Sequence, residues 1–237
     1  MARVIKIDNA LQKRFKSQQK KKTKSKELIT YFLIVCEGEK TEPNYFKSFP
    51  KQSGTLIFDV QFEGGGISTL GVVEKAIDLR NKSRQKYDRV WAVFDKDSFK
   101  DTNFNSAIIK AKAHGISCAW SNEAFELWYL LHFHNRVTPM KRTQYQKAIE
   151  DAINAKVKNK SKKFKYKKND QEMYSTLKQY GNQNSAIKWA EDLSNKINGE
   201  KYAQYNPQTM VFKLVKELNG KSEKLIEEVK RKYQEGL

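Results

Sequence analysis

Three carboxylates in this sequence stand where a chain would put them to hold a divalent cation. Glu37 closes the apolar run Tyr31-Phe-Leu-Ile-Val-Cys36 and is followed at once by Gly38. Asp95 and Asp97 close a second apolar run, Arg89-Val-Trp-Ala-Val-Phe94, as Asp95-Lys96-Asp97. A carboxylate at the edge of an apolar core is costly unless a cation or a hydrogen-bond donor meets it. Carboxylate oxygens are also the hard ligands that Mg2+ or Mn2+ takes. Either segment alone is as readily a turn or a helix cap; both together, on core strands of one sheet, favour a metal site made by Glu37, Asp95 and Asp97. A fourth acid, Glu126, interrupts the nearly all-apolar run Phe125–Phe133. It is either the partner of a buried cation or a further ligand of the same site. His132 and His134 are two residues apart and would not share a helix face, so they do not read as a metal pair.

The elements that must position these acids follow from periodicity. Residues 28–36, 55–62, 89–94 and 116–120 read as strands, the first and third apolar enough to be buried on both faces. Helices are expected over 40–49, 68–85 and 102–113, and a fourth opens at Ser121-Asn122, either of which is a natural N-cap. This β-α-β-α-β-α-β order predicts a parallel, three-layer α/β sheet, in which ligands bind at the carboxyl ends of the strands. Gly64-Gly65-Gly66 could cradle a phosphate on its backbone N–H groups but reads first as a plain flexible turn; no Lys-Ser or Lys-Thr follows at nucleotide-loop spacing, so it is not a nucleotide-triphosphate loop. Past Pro139 the pattern is helical with no strand, and helices are expected over 182–198, 207–219 and 221–233. The chain thus divides into a basic arm (1–26), an α/β domain (27–137) and a basic helical region packed on it (138–237).

Charge points to a polyanionic partner. The chain carries 46 Lys and Arg against 27 Asp and Glu, a net +19 over 237 residues, and nucleic acid is the partner that such an excess suits best. Residues 1–26 hold ten Lys or Arg and one acid. Lys156–Lys168 holds eight lysines and no acid, interleaved with Phe164 and Tyr166. There Lys162, Lys163, Lys165, Lys167 and Lys168 would attract phosphates while the aromatics stack on bases; otherwise the segment is a solvated loop anchored by its aromatics. Lys40 and Lys96 flank the acids and either steady a phosphate or act as counter-charges. No apolar stretch is long enough to span a bilayer and no signal peptide is seen, so a cytoplasmic protein without a membrane partner is expected. Cys36 and Cys118 read as buried free thiols, and three histidines leave no zinc spacing. A homo-oligomer is left open.

The segment Ile34-Val-Cys-Glu-Gly-Glu-Lys-Thr-Glu-Pro-Asn-Tyr-Phe46 resembles the opening motif of the RloB/AbiL-type family, bacterial proteins linked to restriction and abortive-infection loci. Val93-Phe-Asp-Lys-Asp97, Ser121-Asn-Glu-Ala-Phe-Glu-Leu-Trp128 and Asn206-Pro-Gln-Thr209 resemble its later blocks, in the same order. The resemblance implies a Toprim fold, in which a glutamate followed by glycine ends the first strand and an Asp-x-Asp pair ends a later one; Glu37-Gly38 and Asp95-x-Asp97 match. It also implies a partner ATPase of the AAA/ABC type encoded nearby, and a role in phage defence. The chain departs from the pattern at Glu123-Ala124, where a proline and a small polar residue are expected.

The function expected from these readings is a Mg2+- or Mn2+-dependent nuclease cutting RNA or DNA. Asp95 and Asp97 would hold the metal, and Glu37 would be a ligand or a general acid or base, with Glu126 or Glu39 as extra ligands. The alternative is a non-catalytic adaptor that binds metal and nucleic acid under control of the ATPase. A nucleotidyl transferase is disfavoured by the poor glycine turn, and a membrane-disrupting toxin by the lack of a helix pairing a lysine face with a long apolar one.

Overall fold

In the computed structural model, which describes residues 27–65, 68–158 and 163–235, strand β1 (Leu28–Cys36) is the axis of the sheet. The basic arm 1–26, Gly66 of the glycine turn and Lys162 of the lysine run lie outside the described residues. β1 pairs in parallel with β3 (Leu56–Glu63) on one side and β4 (Arg89–Asp95) on the other. Its side chains alternate between two cores: Phe32, Ile34 and Cys36 enter one, Leu33 and Val35 the other. The stretch Phe32–Cys36 is buried on both faces and has no position for a polar residue, which is why it is apolar throughout. Cutting one of these large side chains to alanine would cost about 2–5 kcal/mol.

β5 (Ser117–Asn122) continues the parallel set beside β4. Two short antiparallel strands, β2 (Gln52–Ser53) and β6 (Gln208–Thr209), close the edges, for a sheet order β2-β3-β1-β4-β5-β6. Helices α2 (Thr69–Lys82) and α3 (Asp101–Ala113) cover the Leu33/Val35 face. The opposite face is covered by α1 (Thr41–Lys47), α4 (Glu126–Leu130) and the helices of the second half. These are α5 (Arg142–Asn154), α6 (Met173–Tyr180), α7 (Gln183–Ser194), α8 (Val211–Leu218) and α9 (Glu223–Gln234). The expected α/β class therefore holds: a mostly parallel sheet between helical layers, with further helices toward the C-terminus.

Two expectations are corrected. The second half does contribute a strand, because Gln208 and Thr209 pair with Asn122 and Ser121, and α8 consequently starts at Val211 rather than near Pro207. For the same reason Ser121 and Asn122 are sheet residues and not a helix cap. The Ser121 and Thr209 hydroxyls meet at 3.0 Å, and Asn122 Nδ2 donates to the Ala203 and Tyr205 carbonyls, each at 2.9 Å. The side chains that resemble a cap are thus satisfied by distant partners, and the helix opens only at Glu126.

The order β3-β1-β4 makes the chain reverse its winding direction between β1 and β4. Their carboxyl ends flank the switch point where open α/β sheets bind ligands. The amino end is closed by α9: Ile29 N–H donates to Tyr233 Oη (2.7 Å), whose hydroxyl donates back to the Ile29 carbonyl (3.1 Å). Both cysteines are free, Cys36 buried and Cys118 half-buried. Among the described residues, no helix is long and apolar enough to cross a membrane.

Candidate active site

Glu37 is the first residue past β1, and its own N–H donates to the Val93 carbonyl (2.9 Å), so the β1–β4 pairing continues into it. This places its side chain at the end of β4, where Glu37 Oε2 accepts the Asp95 N–H (3.0 Å). Asp95, the last residue of β4, is buried; its Oδ2 accepts the Phe125 N–H (3.0 Å). The next two residues follow β5: Lys96 N–H donates to the Ser121 carbonyl (2.8 Å) and Asp97 N–H to that of Glu123 (3.0 Å). Asp97 sits in the left-handed region, φ 41°, which aspartate tolerates better than most side chains.

Around these acids lies a cavity of about 790 Å³ lined by Glu37, Glu42, Asp95, Asp97, Glu126 and Arg142, with Glu39, Lys40 and Lys168 also on its wall. The guanidinium of Arg142, the first residue of α5, links three of the acids. Its Nη2 donates to Asp95 Oδ2 (2.8 Å) and its Nη1 to Asp97 Oδ2 (3.0 Å), while Nε lies 3.8 Å from Glu126 Oε2. Glu126 is almost fully buried, and its other oxygen accepts the Tyr166 hydroxyl (3.0 Å).

Glu42, in the first turn of α1, is buried as well. Gly38 is what lets it lie there: a Cβ on Gly38 would clash with Glu42 Oε2 and stand 3.1 Å from its Cδ.

So many acids in one buried place perturb one another. Burial pushes the Glu37 carboxyl up from 4.5 to about 7, helped by the charges of Glu42 and Asp97 and opposed by the Asp95 N–H and Arg142. Asp95 is pushed well above the usual carboxylate range by burial and then by Glu42, against the pull of Arg142. Glu42 is raised by burial and by Glu126. Burial disfavours the Arg142 charge, yet Asp95, Glu126, Asp97 and Glu42 together hold its pKa above the ordinary value. Two carboxylate oxygens, Asp95 Oδ1 and Glu42 Oε2, are buried with no hydrogen-bond partner. An unpaired buried acceptor costs about 1–3 kcal/mol, and more when charged, so both mark a place for a proton, a cation or another hydrogen-bond donor.

A family model described as RloB-like protein matches residues 32–218. The chain belongs to that family. Among curated proteins and among solved structures, nothing matches it.

In this RloB-like chain Glu37, Asp95, Asp97 and Glu126 all reach one cavity. Among the described residues, no three His, Cys, Asp or Glu side chains converge as a ready metal cluster; the Arg142 guanidinium lies between three of the acids. The donor set still suits Mg2+ or Mn2+, being hard carboxylate oxygen with two oxygens unpaired. Lys96 does not line the cavity, since its ammonium is taken by the Phe99 carbonyl (2.5 Å) and Asp101 (3.1 Å).

Lys163, Lys165, Lys167 and Lys168 are exposed on a strap whose aromatics point inward. Phe164 and Tyr166 pack against the core, Phe164 N–H donates to Asn154 Oδ1 (2.7 Å), and Tyr166 N–H donates to Glu150 Oε1 (2.6 Å). The rings are therefore anchors and are not offered to bases. The strap ends at the acids, where Thr41 Oγ1 donates to the Lys168 carbonyl and Asn44 Nδ2 to that of Asn169 (3.3 Å).

Sequence reasoning missed Glu42, Arg142 and the Tyr166 hydroxyl. Glu42 lay inside the opening motif but reads as an ordinary first-turn helix acid. Arg142 had one signal, an arginine in a stretch where the other cations are lysine, which fits a need for a planar fork rather than a point charge.

Proposed function

We propose that the chain is a Mg2+- or Mn2+-dependent nuclease that serves as the effector of a bacterial antiphage system. The observation that carries the reading is the pair of unpaired, buried carboxylate oxygens on Asp95 and Glu42, beside Glu37 at the sheet's switch point. Asp95 and Glu42 would hold the metal, with Glu37, Asp97 and Glu126 as further ligands. A bound divalent cation there supplies polarisation of the phosphoryl group and neutralisation of its charge. Glu37, whose carboxyl is poised at about 7, takes the proton of the attacking water or returns one to the leaving oxygen. The low polarity around Asp95 and Glu126 strengthens each charge contact made inside the cavity. Lys40 and Lys168 on the wall offset backbone phosphates, and the exposed lysines of the strap lead a strand toward the acids. The defence role and the ATPase partner rest on the resemblance of the sequence blocks to restriction-linked proteins.

One observation favours a second reading, the non-catalytic adaptor. Arg142 already pairs with Asp95 and Asp97 and lies near Glu126, as it would in a purely structural ion cluster.

Total RNA and plasmid DNA would be incubated with Mg2+ or Mn2+, comparing wild type with Glu37→Ala and Asp95→Asn. Each is tried alone and with the ATPase encoded nearby. Cleavage that requires the metal and disappears in both variants is expected. Binding of nucleic acid without cleavage, even with the activated partner, selects the adaptor.

A further inference from the structure

The cavity holds a third orphan besides the two carboxylate oxygens. Arg142 Nε is buried without a hydrogen-bond partner, its nearest acid oxygen standing 3.8 Å away on Glu126. The guanidinium is thus surrounded by opposite charge yet incompletely hydrogen-bonded. A static ion cluster that served only the fold would be expected to satisfy all of its members, since a half-satisfied buried network is worse than an apolar one. The three orphans are of both signs: two acceptors want a cation or a proton, and one donor wants an anionic oxygen. A divalent cation together with a phosphate oxygen supplies both.

Position also matters. Arg142 opens α5, and about a quarter of its side chain remains exposed, so the side chain is not sealed into the core. The same planar fork that spans Asp95 and Asp97 spans two phosphate oxygens equally well. Lys96 cannot take this part, being held by Phe99 and Asp101.

We propose that Arg142 exchanges partners: it releases Asp95 and Asp97 when a divalent cation binds these acids, and the freed guanidinium then grips the phosphate of the nucleic-acid strand. This rests on the metal-nuclease reading and deepens it. Arg142 holds the acids together while the site is idle, and it becomes a phosphate-binding residue when the site is loaded. A cation on Asp95 Oδ1 and the guanidinium on Oδ2 repel each other across one carboxylate, so cation binding weakens Arg142 pairing. Metal and nucleic acid then bind cooperatively, because each favours the state in which Arg142 has let go.

The test uses the full chain and two probes, Mn2+ alone by calorimetry and a fluorescent single-stranded oligonucleotide in Ca2+, checked intact after each reading. Arg142→Gln is expected to bind Mn2+ about tenfold tighter than wild type, about 1.4 kcal/mol. It should also lose the gain in oligonucleotide affinity that the cation confers on wild type. Arg142→Lys should fall between them in Mn2+ affinity and recover little of the oligonucleotide gain. Mn2+ affinity that is unchanged or weaker in folded Arg142→Gln, or a cation-dependent gain that survives the substitution, overturns the exchange. If Arg142→Gln does not fold, the Arg142 Nε–H resonance of wild type is followed during a Mg2+ titration. A shift with faster solvent exchange is expected, and an unmoved signal refutes the proposal. Absence of Mn2+ binding in both wild type and Arg142→Gln would sink the metal reading itself, whereas equal binding in both sinks only the exchange.

Discussion

Replacing Glu37 by glutamine should make the protein more stable at neutral pH, and the size of the gain follows from the burial of the carboxyl. In the fold, Glu37 keeps its proton up to about 7, against 4.5 ordinarily. Between those two values the folded chain holds a proton that the unfolded chain has released, so stability falls as pH rises through this window. Below 4.5 both states are protonated and nothing is lost; above about 7 both are ionised and the loss is complete. At about 1.4 kcal/mol per unit, the ceiling is about 3 kcal/mol. Glu37 is only half-buried, and solvent screening brings the figure to about 1–2 kcal/mol.

Glutamine removes the charge and retains an oxygen able to accept the Asp95 N–H. Urea unfolding in EDTA at pH 5, 6, 7 and 8 should therefore show Glu37→Gln gaining on wild type with each step up to pH 7, then holding a constant lead. In thermal melts each kcal/mol should appear as about 2–4 °C for a chain of this size. Asp95 and Glu42 titrate in both proteins, so only the difference between the two curves is read. A difference that does not change with pH, or a variant less stable than wild type at pH 8, would falsify the assignment of the shift to burial among like charges.

Two further variants probe the acid site and the lysine strap. Gly38→Ala forces its Cβ against Glu42 and should cost about 1–3 kcal/mol in urea unfolding. It should also weaken Mn2+ binding measured by calorimetry, and retained affinity would show that Glu42 is not a ligand. Replacing Lys163, Lys165 and Lys167 together by alanine removes three exposed charges from the strap, so stability should change by no more than about 0.5 kcal/mol. The slope of log affinity for single-stranded nucleic acid against log salt should become shallower by about 2, and an unchanged slope would remove the strap from the binding path.

Much of the architecture was legible because its signals are local. An apolar run of strand length bounded by acids and glycine needs no partner to be recognised, and four such runs alternating with helical periodicity leave little choice but a parallel sheet. The same locality explains the errors. Ser121 and Asn122 carry the side chains of a helix cap, and only Thr209 and Gln208, far along the chain, make them strand residues instead. Gln208 and Thr209 form too short a strand to show a period of two, and a two-residue strand exists only because β5 offers it an edge.

The site divides along the same line. That Glu37, Asp95 and Asp97 end core strands, and that Glu126 interrupts an apolar helix, could be read from the sequence alone, since each depends on its immediate neighbours. What meets those acids could not. Arg142 is 47 residues from Asp95 and Tyr166 is 40 from Glu126, and nothing in either local sequence names its partner. Glu42 reads as a helix acid until the turn at Gly38 folds it back into the cavity. Strand ends are determined by hydrophobic periodicity, a property of consecutive residues. The cation that balances a buried carboxylate is chosen by distance and desolvation, which exist only once the second half of the chain has packed over the sheet.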